Sequence, residues 1–268
     1  MKTTRFLALY DIHCGWEYKR SRGQRFKQPT HNLAALRAVM KFAIDYKPDV
    51  FILGGDQLNC GPVSRWHKGK PRLDHDFNLK AEMDLLWNEV IVPVENSCES
   101  SEKVWIYGNH EQWIELWLDE QPAAEGLVEP HNYYELEKMG WQIFDQGEMY
   151  KLGKLHFLHG DFLSGNSNTA ASRAAALYRR NIRIGHFHTE ATATDKTPID
   201  TKDFHTCKIV PAMSRRGPSY QKNAPDNFMQ GFLVGEVYDN GDFQDHVVVI
   251  NKDRFRWNGK LYDGRKLV

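Results

Sequence analysis

Arg5-Phe6-Leu7-Ala8-Leu9-Tyr10-Asp11-Ile12-His13 is the stretch on which the reading of this chain turns. From Phe6 to Tyr10 it is apolar without interruption, as a buried strand is. It then runs directly into two side chains of the metal-ligating kind, Asp11 and His13, which alternation along an extended chain would turn to one side. The next run of this type, Asp49-Val50-Phe51-Ile52-Leu53, ends in Gly54-Gly55-Asp56. A third, Lys103 to Tyr107, ends in Gly108-Asn109-His110-Glu111. Between the first two, Leu33, Leu36, Met40 and Ala43 recur at helical spacing, with Thr30 or Asn32 as the cap and Pro48 just beyond the end. Leu79, Met83, Leu86 and Val90 mark a second helix before the third strand. This β-α-β-α-β order predicts parallel strands joined by right-handed crossovers, with all three ligand-bearing stretches beyond the carboxyl ends of the strands, where sites assemble in such sheets.

Two further stretches carry the same chemistry, His159-Gly160-Asp161 and Gly185-His186-Phe187-His188. Together the five supply Asp11, His13, Asp56, Asn109, His159, His186 and His188, an oxygen and nitrogen set suited to borderline divalent ions such as Mn, Fe, Co, Ni or Zn. The second half of the chain is richer in strand signals, at Gln142 to Phe144, Leu155 to Leu158, Ile182 to Ile184, Cys207 to Val210, Phe232 to Val237 and Asp245 to Ile250. An Ala-rich helix is expected from about Thr169 to Arg180. The tail, residues 251–268, is polar and rich in Gly and Arg, and an edge hairpin is expected there.

With 268 residues and 41% hydrophobic content, one large core is affordable, and a single domain over 1–268 is expected. A formal net charge of zero excludes a general electrostatic attraction to nucleic acid or membrane, so any steering must come from local patches. The apolar run ending at Tyr10 is too short for a signal sequence or a membrane span. Cys14, Cys60, Cys98 and Cys207 show no CxxC spacing and fit free thiols in a reducing compartment. The expectation is a cytoplasmic protein with no membrane association and no protein partner that the sequence identifies.

The five stretches, in this order, resemble the calcineurin-like metallophosphoesterase family, whose pattern runs DxH, GD, GNH[ED], H and GHxH. The resemblance implies an α/β fold, a two-sheet β-sandwich flanked by helices. It implies a dinuclear centre with two divalent ions (Mn, Fe, Ni or Zn, with Mn favoured), hydrolysing phosphate esters through an activated water. Carried over residue by residue, Asp11, His13 and His188 would hold one ion, Asn109, His159 and His186 the other, and Asp56 would bridge. His110 would be the catalytic acid or a hydrogen-bond donor to the phosphoryl group. Several relatives orient that histidine with a carboxylate three residues beyond the bridging aspartate. Here the position is Asn59, so Asp76 or Glu111 would have to serve, or His110 acts as a neutral donor. Asp161 is expected to orient a ligand without being one.

The substrate is read from the loops. Lys19, Arg20, Arg22, Arg25 and Lys27 follow the first ligand pair, and Arg65, Trp66, His67, Lys68 and Lys70 follow Asp56. Arg215 and Arg216 come after Pro211-Ala212-Met213. Cations interleaved with Trp16, Tyr18, Phe26 and Trp66 suit a polyanion whose bases can stack, and Arg20, Arg22, Arg25, Arg65 and His67 are the candidate substrate contacts. Glu111, Glu115, Asp119, Glu120, Glu125 and Glu129 form an acidic stretch expected to face solvent, with Trp113 and Trp117 expected in the core. The favoured substrate is a phosphodiester in nucleic acid or a nucleotide. The alternatives are a phosphomonoester of a small metabolite or nucleic-acid end, and a non-catalytic binding subunit. The sequence Gly55-Asp56-Gln57-Leu58-Asn59 departs from the GDxVDRG of the protein phosphatases, which places phosphoproteins low.

Overall fold

The computed structural model describes residues 2–64, 78–196, 204–215 and 227–265. Its strands are β1 (Thr3–Leu9), β2 (Trp16–Ser21), β3 (Gln24–Pro29), β4 (Val50–Leu53), β5 (Glu102–Ile106), β6 (Trp141–Phe144), β7 (Tyr150–Leu152), β8 (Leu155–Phe157), β9 (Asn181–Ile184), β10 (Ala191–Lys196), β11 (Phe204–Ile209), β12 (Gln230–Tyr238), β13 (Phe243–Ile250), β14 (Arg254–Trp257) and β15 (Lys260–Asp263). The helices are α1 (Leu33–Tyr46), α2 (Leu79–Leu86), α3 (Val92–Ser97), α4 (Asn109–Leu118), α5 (Pro130–Tyr133) and α6 (Ser167–Tyr178).

Two sheets face each other. The first runs β13-β12-β1-β4-β5-β6 and the second β10-β11-β9-β8-β7. Strands β1, β4, β5 and β6 are parallel, as the β-α-β-α-β order requires, and β12 and β13 continue the sheet antiparallel. Side-chain alternation distributes one apolar run to two cores. Leu7 and Leu9 point toward α1 to α4, where they join Leu36, Val39, Met83 and Trp105. Phe6, Ala8 and Tyr10 point the other way and meet Leu155 and Phe157 of the second sheet. That is why the sequence from Phe6 shows no polar face. The outer face of the second sheet is closed by Ala170, Ala171, Ala174 and Ala175 of α6, small residues that let helix and sheet approach closely. The result is a two-sheet sandwich with helices on both outer faces.

A buried ion pair links the sheets. Arg183 on β9, fully buried, donates from Nε to Asp245 Oδ2 (2.5 Å) and from Nη2 to Asp245 Oδ1 (3.1 Å) on β13, and Lys208 Nζ adds a third contact at 2.8 Å. Burial pushes the Asp245 carboxyl up, but Arg183 and Lys208 outweigh it and hold it below the usual carboxylate range.

Three expectations change. The segment after His13, read as a loop, is the hairpin β2–β3, in which Trp16 pairs with Pro29 and Ser21 with Gln24. The second helix does not run unbroken to Val90: it opens into a wider turn at Trp87–Ile91 and resumes as α3, which carries Pro93, a residue with no N–H to donate. The tail does form a hairpin, β14–β15, but it pairs with itself and adds to neither sheet edge. Phe255 and Tyr262, stacked with centroids 5.2 Å apart, instead seal the Phe42 face of α1.

Candidate metal centre

Every ligand-bearing stretch leaves the end of a strand and turns sharply. Asp11, His13, Asp56, His186 and His188 all have left-handed backbones, with φ of 51°, 50°, 54°, 68° and 54°. Asp and His tolerate this region better than most residues, yet such clustering at one place persists only where the surroundings enforce it. The expected extended alternation of Asp11 and His13 is therefore replaced by two left-handed residues, and main-chain bonds hold the turn. Asp11 N donates to Gly55 O (3.0 Å), His13 N to Asp56 O (2.9 Å) and Cys14 N to Gln57 O (2.8 Å), so the first two ligand loops pair side by side. Ser214 N donates to Asp11 O (2.9 Å) from the other flank. At Gly55, φ is 102° and an added Cβ would lie 2.4 Å from His159 Nδ1, so this position has no room for a side chain.

The turns bring the seven ligand candidates into one cluster. Three groupings have donor atoms within 4.8 Å of one another: Asp11, His13 and His188; His13, Asp56 and His110; and Asp56, His159 and His186. His13 Nε2 and His188 Nε2 are 3.1 Å apart, and Asp11 Oδ1 lies 3.2 Å from His188 Nε2. On the other side His159 Nε2 is 3.2 Å from Asn109 Oδ1 and 3.3 Å from Asp56 Oδ2, while its Nδ1–H points to Gly54 O at 3.2 Å. Asp56 Oδ2 thus lies between the groups, 3.3 to 3.8 Å from the Nε2 atoms of His159, His13 and His110. Its Oδ1 accepts from His110 N at 2.9 Å, which fixes the carboxylate plane. Burial pushes His159 down, but Asp56 and Asp11 outweigh it and carry the imidazole up to about 10. His13 is pushed well below its ordinary value by burial and by neighbouring His110.

His110, at the start of α4, is held differently. Its Nδ1 lies 2.8 Å from Asn59 O. A carbonyl can only accept, so Nδ1 carries the proton and Nε2 faces Asp56 Oδ2. The Trp113 ring stacks on its imidazole, with centroids 3.9 Å apart at 31°. Burial lowers the His110 pKa against the opposing pull of Asp56 and the Asn59 carbonyl. Glu111 is no partner of this histidine. It is buried, and its carboxylate accepts from the N–H groups of Asp56 (3.0 Å), Leu58 (2.9 Å) and Gly108 (2.9 Å), bracing the loop that carries Asp56. Burial and the charge of Asp56 lift Glu111 to about 7. Asp76, the other carboxylate considered for His110, lies outside the described residues.

A sequence profile described as calcineurin-like phosphoesterase matches residues 4–226. The chain belongs to the calcineurin-like phosphoesterase family. It is accordingly a hydrolase acting on phosphate esters. No curated protein matches it in sequence. Among solved structures it is similar to a predicted phosphoesterase from Streptococcus pneumoniae (12% identity, covering 98% of this chain and 99% of that one, TM-score 0.41). It is also similar to a dimetal phosphatase from Danio rerio (10% identity, 88% and 93% covered, TM-score 0.45) and to a phosphoesterase from E. coli (13%, 92% and 100%, TM-score 0.40).

The donor set of this phosphoesterase fits divalent ions on its own chemistry. Asp11 Oδ1 is fully buried with no hydrogen-bond partner among the described residues, although imidazole Nε2 atoms stand 3.2 and 3.9 Å away. A buried carboxylate oxygen without a donor, amid converging imidazoles, is what a cation would satisfy. Clusters able to hold ions are present, and which metal they take is left open by an N/O set of this kind.

Beside the cluster lies a cavity of about 870 Å³. Its walls include Trp16, Trp113, Leu116 and Phe228, with Glu17, Asp161 and Arg215 as charged members. Trp113 packs against the core as expected, and its ring also lines the cavity and meets the His110 imidazole. Trp117, one turn further, packs against the same core. Among the described residues the hairpin contributes its base, Trp16 and Glu17, with Thr30 just after β3. Arg22 and Arg25 are exposed toward its tip, with Arg25 over the Tyr18 ring at 3.5 Å, and neither lines the cavity. Arg65, His67 and the Arg20 side chain lie outside the described residues. Asp161 accepts from Gln146 Nε2 and lines the cavity. In the acidic stretch, Glu115, Asp119, Glu120 and Glu125 are exposed as expected, but Glu129 is buried and caps the N–H groups of Gly126 and Val128.

Sequence reasoning missed Glu82, fully buried on α2, whose carboxylate accepts from Cys60 N at 2.7 Å. The available signal was a charged residue between the apolar positions Leu79, Met83 and Leu86. It also missed Phe228, whose ring meets His188 edge-on at 4.4 Å.

Proposed function

We infer that the chain hydrolyses a phosphodiester, of the size of a nucleotide or a short nucleic-acid end, at a dinuclear centre. Asp11, His13 and His188 hold one divalent ion, Asn109, His159 and His186 the other, and Asp56 lies between them. The ions, when bound, supply Lewis-acid charge to the phosphoryl oxygens and an activated water. The chain's own residues do the rest. The Asp56 carboxylate is fixed by the His110 N–H, so the two ligand groups stay in register. His110, its Nδ1–H anchored on Asn59 O, acts in its imidazolium form: Nε2 carries the second proton and gives it to the departing alkoxide oxygen as the P–O bond breaks, leaving the neutral Nδ1–H ring.

One observation carries the substrate preference: the cavity wall beside His110 is aromatic, with Trp113, Trp16 and Phe228, and Arg215 is the cation among its described lining residues. Such a wall suits a planar base attached to phosphate better than a long polyanionic strand, for which a row of cations would be needed. The deciding experiment loads the protein with Mn and compares bis-p-nitrophenyl phosphate with p-nitrophenyl phosphate. A higher kcat/KM on the diester supports this reading. A higher value on the monoester moves it to phosphorylated ends and small metabolites.

A further inference from the structure

We propose that Arg215 is a specificity residue that takes a second anionic group of the substrate, a phosphate one nucleotide unit away from the one that is cleaved. The inference deepens the reading of the substrate as a nucleotide-sized phosphodiester and rests on it. Arg215 is placed through its main chain. Met213 N donates to Tyr10 O (3.0 Å), Ser214 N to Asp11 O (2.9 Å) and Arg215 N to Thr30 O (2.7 Å), while Ser214 O accepts from Gln230 Nε2 at 2.7 Å. The segment therefore follows the flank of the loop that carries Asp11 and His13, and the Arg215 side chain leaves it at the exposed rim of the cavity. Arg37, Arg183 and Arg265 each hold a carboxylate through two nitrogens. The Arg215 guanidinium has no hydrogen-bond or ion-pair partner among the described residues. Its planar fork of donors matches the oxygens of a phosphate.

The opposite pole of the cavity is Asp161. It lies two residues beyond the ligand His159, lines the cavity, and is held through Oδ2 by Gln146 Nε2. Its charge acts on His159 and His186, so it stands beside the second ligand group, whereas Arg215 stands beside the loop of the first. A carboxylate there repels phosphate and accepts from hydroxyl and N–H groups. Glu17, at the hairpin base, accepts from Gln28 Nε2 at 2.5 Å and does not pair with Arg215. With a volume of about 870 Å³, the cavity has room beyond a phosphoryl group at the ligand cluster. A substrate lying across the cluster thus meets one end that favours further negative charge, and that end is at Arg215. An arginine that touched the scissile phosphate instead would serve every ester alike, so the two roles are separated by comparing substrates.

The test uses the Mn-loaded protein and thymidine dinucleotides carrying a 5′-phosphate, a 3′-phosphate or neither, with cleavage followed at the internucleotide linkage. One of the two phosphorylated forms is expected to show kcat/KM about tenfold above the bare dinucleotide, through KM, with a margin that shrinks as ionic strength rises. Arg215→Ala, with metal content as in wild type, is expected to remove that margin, and Arg215→Lys to keep part of it. No margin for either form in wild type, or a margin that survives Arg215→Ala, would overturn the proposal. Equal loss on all the dinucleotides would overturn it as well and place Arg215 on the scissile phosphate. Failure of the diester reading shows separately, as slower cleavage of bis-p-nitrophenyl phosphate than of p-nitrophenyl phosphate. The comparison then moves to thymidine 3′,5′-bisphosphate against the two monophosphates, where the same margin and the same effect of Arg215→Ala are expected, and their absence overturns the proposal.

Discussion

The loop bearing Asp56 and the hairpin β2–β3 are both continuous with ligand stretches, yet they are built in opposite ways. Around Asp56 the backbone is fixed at almost every step: Asp56, Leu58 and Cys60 give their N–H groups to buried carboxylates, and Asp56 and Gln57 give their carbonyls to His13 and Cys14. The hairpin pairs mainly with itself, is exposed from Arg22 to Lys27, and among the described residues meets the cavity at its base, Trp16 and Glu17, with Thr30 just beyond β3. Groups that must hold charge within tenths of an ångström are placed by main-chain hydrogen bonds that no surface substitution reaches. Groups that touch only the outer part of a substrate are left where they can vary.

That contrast is broken or sharpened by substitution. Asp56→Ala removes the one carboxylate shared by both ligand groups and is expected to lower kcat at least about a thousandfold, with metal loss measured by elemental analysis. His110→Ala should keep the metal and lower kcat on an alkyl ester by about a hundredfold or more. Gly55→Ala forces a side chain into the His159 ring and a strained φ, and should cost about tenfold or more in metal affinity, read by competition with a chelator. Metal binding should also be pH-dependent with a definite sign. Asp56 and Asp11 hold a proton on His159 up to about 10, so an ion taken up at Nε2 must expel it. Affinity is expected to rise with pH below that value and level above it, and calorimetry in two buffers of different ionisation enthalpy should register proton release at pH 7. At the small end, Arg22→Ala with Arg25→Ala should change kcat/KM for a small diester by no more than about twofold, while a larger loss on an oligonucleotide would bring the hairpin tip into substrate contact.

Much of this was legible in the sequence because the ligand turns depend on local chemistry. An apolar run ending in Asp or His, repeated along the chain, marks both the strand and the turn beyond its end, and the parallel order of β1, β4 and β5 follows from the helices between them. What was not legible depends on long-range packing. Nothing in Glu82 or Glu111 distinguishes a buried brace from a solvated helix face until α2 and α4 are set against the Asp56 loop. Trp113 has the spacing of a core residue and packs as one, but that spacing does not reveal that its ring also meets His110, one turn earlier, and the cavity. The hairpin at Trp16–Ser21 and Gln24–Pro29 was hidden by its charge, since alternating Lys and Arg read as loop when neither face is buried.

The most direct measurement is the number of metal ions bound per chain, by elemental analysis on wild type, Asp56→Ala and His110→Ala after loading and gel filtration, with diester hydrolysis followed on the same samples. Two ions in wild type and in His110→Ala, and fewer in Asp56→Ala with activity lost in step, is the expected result. Full activity with a single ion, or two ions retained without Asp56, would contradict a centre in which that carboxylate joins the two halves.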